Sequence, residues 1–406
     1  MRQIARLLMI AFVFAVPWEF SLELQEPLGP VARVIGILLL LVAAPAILQT
    51  GCLRRPGPMQ WAVLALFLWL CCTCFWTVDP AVTHERLRGY FQEMMIVWLI
   101  WEFAENPRDL RMLLRAYVAG SWELALVTLA NFASPEAIAG GHIRFFAEGL
   151  DPNDTARFLD LGFPLAAVLA DGESHWPGRL MAWGYLPVGL LAVLLTASRG
   201  GFVAAVLAIA GAAAILLRAH PRRILAGAIA LPAAAFSAWW IVPHETLDRI
   251  ASIAEQLQAG DLNERVNIWA QGWQAFRAAP LFGSGAGSFV SAAGLDPIDT
   301  AHNTALSIVV SGGLFGLCLA TAILIVAIHD VLAMRGNTRI AFATALAVWM
   351  VTSLTASVEE NRTTWLLYAL IAFAGRLARG NLEQLEAAFP APSRSRASAS
   401  AKEVHA

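Results

Sequence analysis

Two kinds of polar side chain stand beside long apolar runs in this chain and are able to do chemistry there. Arg199 lies in a six-residue connection between two apolar runs, Arg265 lies in a long polar stretch, and His302 opens the next apolar run with Asn303 beside it. An imidazole titrates near neutral pH and can accept a proton. Guanidinium groups bind phosphate oxygens through planar, paired hydrogen bonds. These residue types suit acid–base chemistry at a lipid-linked pyrophosphate on a membrane surface.

Each of these residues also has a structural interpretation. An arginine at the end of a membrane helix often extends its charge to the interface, as Arg199 and Arg265 would. A lone histidine is more often structural than catalytic, and Asn303 is placed either to cap its helix or to orient a ligand. The candidates gain weight as a group, because a base and several arginines are expected on one surface.

Another pair of arginines, Arg86 and Arg88, stands near the start of an earlier apolar run. They are candidates for binding the pyrophosphate or its acceptor. Arg86 shares a helical face with Tyr90 and Glu93, so an internal ion pair is the alternative.

Apolar runs of membrane-spanning length position these side chains. Of the 406 residues, 58% are hydrophobic and 14% are charged, and the mean hydropathy is +0.62. A hydrocarbon core about 30 Å thick needs about 20 apolar residues per helix. Such runs lie roughly at 4–20, 31–50, 60–77, 84–104, 110–132, 155–171, 180–197, 201–218, 223–243, 301–329, 338–358 and 362–378. The sequence therefore predicts an all-α polytopic membrane protein with about twelve transmembrane helices.

Basic residues set the predicted orientation. The apolar run after Arg2 and Arg6 is interpreted as a retained first helix, because no small-residue cleavage site follows it. A cytoplasmic N-terminus then agrees with the positive-inside rule. It puts these arginines on the inner side: Arg54, Arg55, Arg108, Arg111, Arg115, Arg218, Arg222, Arg223, Arg335, Arg339, Arg376 and Arg379. We expect one transmembrane domain, 1–379, and a disordered cytoplasmic tail, 380–406.

The longest polar stretch, about 244–300, is predicted as an outer loop between the ninth and tenth helices. Apolar stripes at helical spacing, from Leu247 to Leu257 and from Leu262 to Phe276, predict two helices along the membrane surface. The glycine-rich segment 280–287 lacks the lysine of a phosphate-binding loop and is interpreted as a flexible turn. Before the sixth run, Asn153 or Asp154 is suited to cap the following helix.

The sequence carries no metal motif. Neither D-x-D nor H-E-x-x-H occurs, and the outer carboxylates do not cluster, so we expect metal-independent chemistry without a cofactor. Glu93 and Glu123 lie inside predicted spans, where carboxyls are functional suspects, although a structural role is equally open. A transporter of lipid-linked sugars would use them as a proton relay. Transporters tend to show internal repeats, and none is visible here.

Several motifs of this chain resemble those of a known protein family. The motifs that carry the resemblance are Ser198–Gly201 after an apolar helix, Arg265 through Trp269, 280–287, and His302-Asn303 followed by Gly312–Gly316. Their order and spacing are similar to those of the O-antigen ligase and polymerase superfamily, over about 153–316. The resemblance implies a GT-C-type glycosyltransferase of about twelve helices in the bacterial inner membrane. It also implies a large periplasmic loop between the ninth and tenth helices.

The resemblance also implies the substrates and the roles of residues. The donor is a glycan on undecaprenyl pyrophosphate; ligases transfer it to lipid A-core oligosaccharide, polymerases to another glycan, and a third branch to protein. A short chain with one dominant outer loop favours the ligase. His302 would be the general base of an inverting transfer, and Arg199 and Arg265 would hold the pyrophosphate with support from Arg86 or Arg88. Membrane lipids are the other expected partners, and nucleic acid is not one.

Overall fold

The computed structural model describes residues 1–21, 23–24, 29–51, 53–172, 175–219, 239–253, 255, 265–296 and 299–389. These residues are mostly helical, with one antiparallel pairing of Glu23–Leu24 and Gly29–Pro30. The helices are α1 (Arg2–Ala15), α2 (Val31–Thr50), α3 (Pro58–Cys72), α4 (Pro80–Phe103), α5 (Pro107–Phe132), α6 (Pro135–Ala139), α7 (Pro152–Gly172), α8 (Trp176–Leu195), α9 (Arg199–Ala219), α10 (His244–Ala251), α11 (Arg265–Ala278), α12 (Phe289–Ala293), α13 (Thr304–Ala333), α14 (Gly336–Ser353), α15 (Arg362–Gly380) and α16 (Leu382–Ala388). Single 3-10 turns follow α1 and α3, at Val16–Trp18 and Thr73–Phe75.

These helices agree closely with the apolar runs of the sequence. Each predicted span coincides with a long helix except the ninth, 223–243, most of which lies outside the described residues. Within the described ranges, six helices are long and apolar enough to cross a membrane: Val31–Gln49, Pro58–Phe75, Pro107–Phe132, Trp176–Leu195, Arg199–Arg218 and Thr304–Ala333. The prediction of an all-α membrane protein is confirmed at this level. A total of twelve spans remains a prediction.

Helix α7 lies at the centre of the bundle, and its surroundings explain why it can carry charged residues. It packs against α5, α8, α9 and α14, and most of its side chains are fully buried. Tyr117 of α5 donates a hydrogen bond to the carbonyl of Phe158 at 3.0 Å, and Tyr185 of α8 donates one to the carbonyl of Leu159 at 2.6 Å. Neighbouring helices, rather than lipid, therefore surround this element.

A backbone kink divides α13 and receives the glycine-rich segment 280–287. Gly313 has φ +67° and ψ −169°, which interrupts the helix. The amide of Ser284 donates to the carbonyl of Val310 at 2.8 Å, and the amide of Leu314 donates to the carbonyl of Pro280 at 2.9 Å. Irregular backbone at a membrane helix needs such partners. The expectation of a flexible turn is therefore wrong for this segment, because its backbone is bonded to the kink.

The outer loop and the tail are only partly described. Helices α10 and α11 contain parts of the two predicted stripes, whereas residues 256–264 lie outside the described ranges. The predicted disordered tail begins with α16, which buries Leu385 and is followed by the buried Phe389. The guanidinium carbon of Arg111 lies 5.4 Å from the centre of the Phe389 ring. Residues 390–406 are outside the described part.

Candidate active site

Three separate elements bring Arg199, Arg265 and His302 to one end of the bundle. Arg265, the first residue of α11, lines a cavity together with Ser198, which precedes α9, and Gly200, in the first turn of α9. Burial lowers the pKa of Arg265, Asp151 raises it, and the charge of Arg199 lowers it again. His302 lies in turn within the electrostatic reach of Arg265. The predicted catalytic residues therefore share one cationic region.

His302 occupies a backbone conformation that few residues other than glycine adopt. Its φ is +46°, in the left-handed region. Asn303 follows it as the cap of α13, accepting a hydrogen bond from the amide of Leu306 at 2.9 Å. Trp269 of α11 donates from its indole to the carbonyl of Ala301 at 3.0 Å, which fixes the chain just before His302. A residue held in this conformation by its neighbours is a recognised sign of a functional position.

The surroundings of His302 favour its neutral form. Burial lowers the pKa of the imidazole, and the charge of Arg265 lowers it further, whereas Asp151 and Asp299 raise it. The hydroxyl of Thr300 lies 3.2 Å from Nδ1. A pKa below the ordinary value favours the unprotonated imidazole at neutral pH. That is the state a general base requires.

The turn between α8 and α9 places Arg199. Ala197 has φ +48°, and Ser198 Oγ both accepts from the amide of Gly201 at 3.1 Å and donates to Asn153 Oδ1 at 2.8 Å. A Cβ at Gly201 would lie 2.3 Å from that of Ala156, so glycine is required where α9 approaches α7. Arg199 itself donates from Nε to the carbonyl of Arg249 at 3.0 Å.

Two further arginines belong to this region, and the sequence did not single them out. Arg144 donates from Nε to the carbonyl of Thr196 at 3.2 Å. Burial lowers the pKa of Arg144 to about 10, and the charges of Arg249, Arg199 and Arg265 act in the same direction. We call Arg144, Arg199, Arg249 and Arg265 the arginine cluster. Such mutual repulsion is typical of a site that binds an anion.

The cap of α7 differs from the prediction. The carboxylate of Asp151 accepts hydrogen bonds from the amides of Asn153 at 2.5 Å and Asp154 at 3.0 Å. The helix begins at Pro152, whose fixed φ suits the first helical position, so the cap is Asp151 and not Asn153 or Asp154. Those two side chains are thereby free for other contacts.

The structure does not bring Arg86 and Arg88 into the arginine cluster. Arg86 Nη1 lies 2.7 Å from Glu360 Oε2, in the connection between α14 and α15. Its other charged neighbours are Glu93 and Glu359. Arg88 is exposed. Arg86 is therefore ion-paired with Glu360 of a distant segment, and not with Glu93 of its own helical face as the alternative in the sequence analysis had it. The binding roles of both arginines remain predictions.

The two intramembrane carboxyls occupy unlike environments. Glu93 is buried, with Arg362, Glu360, Glu19 and Arg86 as charged neighbours. Glu123 is exposed on α5. A proton relay that needs both carboxyls in one pathway gains no support from this placement. Within the described residues, no three His, Cys, Asp or Glu side chains are grouped to hold a metal ion.

Fold and site together define a helical membrane protein with a cationic, histidine-containing region at one end of its bundle. Residues 185–321 match the family model described as O-antigen ligase. The match contains Arg199, Arg265 and His302 and confirms the resemblance to the O-antigen ligase superfamily. It supports an enzyme of the O-antigen ligase or polymerase type. No curated protein matches the chain.

Proposed function

We propose that this protein is an O-antigen ligase of the bacterial inner membrane. It would transfer a glycan from undecaprenyl pyrophosphate to a sugar hydroxyl of lipid A-core oligosaccharide on the periplasmic face. The observation that carries the proposal is the convergence of Arg199, Arg265 and His302, which come from three elements inside the family match. Their chemistry is that of an anionic leaving group beside a proton acceptor.

The arginine cluster would bind the pyrophosphate of the donor. Fixed positive charges stabilise the negative charge that grows on the leaving group as the glycosidic bond breaks. Guanidinium groups bind phosphate oxygens through planar, paired hydrogen bonds. Loss of one such preorganised donor typically costs on the order of 10²-fold or more in rate.

His302 would activate the acceptor. Its neutral imidazole takes the proton from the acceptor hydroxyl while that oxygen attacks the anomeric carbon. The new bond forms on the face opposite the pyrophosphate, so the configuration inverts. Undecaprenyl pyrophosphate departs with the electron pair of the broken bond, and the proton remains on His302 until solvent removes it. No step in this sequence requires a metal ion.

The acceptor distinguishes a ligase from a polymerase or a protein glycosyltransferase that uses the same donor. We would reconstitute the full chain with an undecaprenyl pyrophosphate glycan and, in separate reactions, lipid A-core, a second glycan donor and a serine-containing peptide. Glycosylated lipid A-core is the expected product. Chain elongation alone would identify a polymerase, and glycopeptide would identify a protein glycosyltransferase. Movement of the lipid across liposomes without transfer would identify a transporter.

A further inference from the structure

Another arginine near this region, Arg157, is buried inside the bundle. It stands in the second turn of α7 and is only 3% exposed. Its Nη2 donates to Asp154 Oδ1 at 2.6 Å. Its other two nitrogens, Nε and Nη1, are buried without a hydrogen-bond partner among the described residues. A buried charged donor left unsatisfied is costly, which points to a ligand that completes it.

A polar cavity adjoins this guanidinium group. Its empty volume is about 290 Å³, with the open solvent at its mouth included, and it is lined by Arg157, Arg265, Asn153, Ser198, Thr352 and Thr355, with glycine backbone from the start of α9. The lining offers two guanidinium groups as donors and contains no carboxylate. Its hydroxyl groups already donate within the protein, that of Ser198 to Asn153 Oδ1 and those of Thr352 and Thr355 to backbone carbonyls. An anion in this cavity would be attracted to both guanidinium groups at once. The lining is therefore complementary to a phosphate group.

The ion pair with Asp154 does not account for this arrangement. Asp154 engages one of the three nitrogens, and its side chain is 26% exposed, whereas that of Arg157 is 3% exposed. A residue needed only to neutralise Asp154 would be placed at the surface beside it. The close approach of Gly201 to Ala156 instead brings the start of α9 next to Arg157 and forms one wall of the cavity.

We propose that this cavity is a phosphate subsite and that Arg157, together with Arg265, binds one phosphate of the lipid-linked pyrophosphate. The identity of the lipid rests on the proposed function, whereas the binding of an anion in this cavity does not depend on it. The proposal assigns a substrate-binding role to a residue that lies before the family match, which begins at residue 185. The remaining arginines of the cluster would face the other phosphate.

Binding is measured without turnover, on the full chain in nanodiscs. The shift in Tm is titrated with inorganic pyrophosphate and, separately, with undecaprenyl pyrophosphate that carries no glycan. Asp154→Asn serves as the control, since it removes the ion pair and leaves Arg157 in place. The double variant Asp154→Asn/Arg157→Gln removes the arginine without leaving the Asp154 carboxylate unpaired. Thr355→Val changes another residue that lines the cavity and probes the same subsite with little risk to folding.

The half-saturating concentration of both probes is expected to rise about tenfold or more in the double variant relative to the control, the ratio that follows from losing a charge-assisted hydrogen bond. Thr355→Val should raise it in the same direction. In glycan transfer, the KM for the donor rises in the double variant while the KM for the acceptor is unchanged. If Arg157 had only a structural role, the double variant would lower Tm but would leave the half-saturating concentration of each probe as it is in the control.

Unchanged affinity for both probes in the double variant and in Thr355→Val would overturn the subsite. If glycan transfer were normal in that case, the proposed function would stand without it. If binding depended on Arg157 but no acceptor were glycosylated, the subsite would stand and the proposed function would fail.

Discussion

Replacement of His302 by asparagine separates the chemistry of this residue from its backbone conformation. The φ of +46° at this position costs a residue other than glycine roughly 1–2 kcal/mol, and asparagine tolerates it better than most. The side-chain contact to be lost is the one between Nδ1 and the hydroxyl of Thr300, at 3.2 Å. Because that contact is exposed, we expect His302→Asn to leave the free energy of unfolding within about 1 kcal/mol of the wild type.

The rate should respond very differently. Removal of a general base typically costs about 10² to 10⁴ in rate, and asparagine cannot take up the proton. The assay is glycan transfer to lipid A-core in nanodiscs at saturating donor and acceptor, with binding of undecaprenyl pyrophosphate as the control for the anion site. His302→Ala is the companion variant, since it removes the base but keeps the unfavourable conformation.

Two results would refute this reasoning. If His302→Asn retained the wild-type rate, His302 would not be the base. If the variant instead lost far more than about 1 kcal/mol of stability and no longer bound the product lipid, His302 would be a structural residue. The predicted separation of its chemistry from its backbone conformation would then be wrong.

Three further predictions follow from particular contacts. Since burial and Arg265 lower the pKa of His302, kcat/KM should be constant near neutral pH and fall only as the pH drops through a midpoint below about 6.5; a midpoint above that value would contradict the assignment. Gly313→Ala should lower Tm and activity, because the φ of this residue is +67° and the new Cβ would lie 2.2 Å from a carbonyl oxygen. The control Gly89→Ala should change neither, because the space around its new methyl group is open. Glu360→Gln and Arg86→Gln should show a coupling of on the order of 1 kcal/mol in a double-mutant cycle of unfolding, since the side chains are 23% and 37% exposed; a raised donor KM in Arg86→Gln would instead indicate pyrophosphate binding.

The helices were predictable because bilayer thickness and helix geometry fix how long an apolar run must be. Prolines added the starting points, since Pro58, Pro80, Pro107 and Pro152 each begin a helix. The cap of α7 was misplaced because Asn153 and Asp154 are also good caps, and only the position of Pro152 selects Asp151. Hydropathy could not reveal that α7 is enclosed by other helices.

Candidate site residues could be predicted where a reactive side chain stands at the end of an apolar run. His302 and Arg199 stand at the ends of apolar runs and were visible for that reason. Arg144 lies in a loop and Arg249 in the short helix α10, where an arginine is ordinary, and only the packing of distant segments brings them together. Arg157 looks like half of a helical ion pair with Asp154, and nothing local distinguishes that from a lining residue of a cavity.

The contact between segment 280–287 and the kink of α13 could not be predicted from the sequence either. Glycines at 283, 285 and 287 and at 312 and 313 allow close backbone approach, but glycine is equally common in flexible turns. The partner of each hydrogen bond lies about 30 residues away in the chain. Only the three-dimensional structure pairs them.

The most direct test of the account is to measure both products of one purified reaction. The full chain, an undecaprenyl pyrophosphate glycan and lipid A-core would be combined in nanodiscs with a chelator of divalent metals, and free undecaprenyl pyrophosphate and glycosylated lipid A-core would be quantified together. The account predicts that the two products appear in equal amounts despite the chelator. A reaction that stops when metal is removed, or one that releases the lipid pyrophosphate without glycosylating any acceptor, would contradict it.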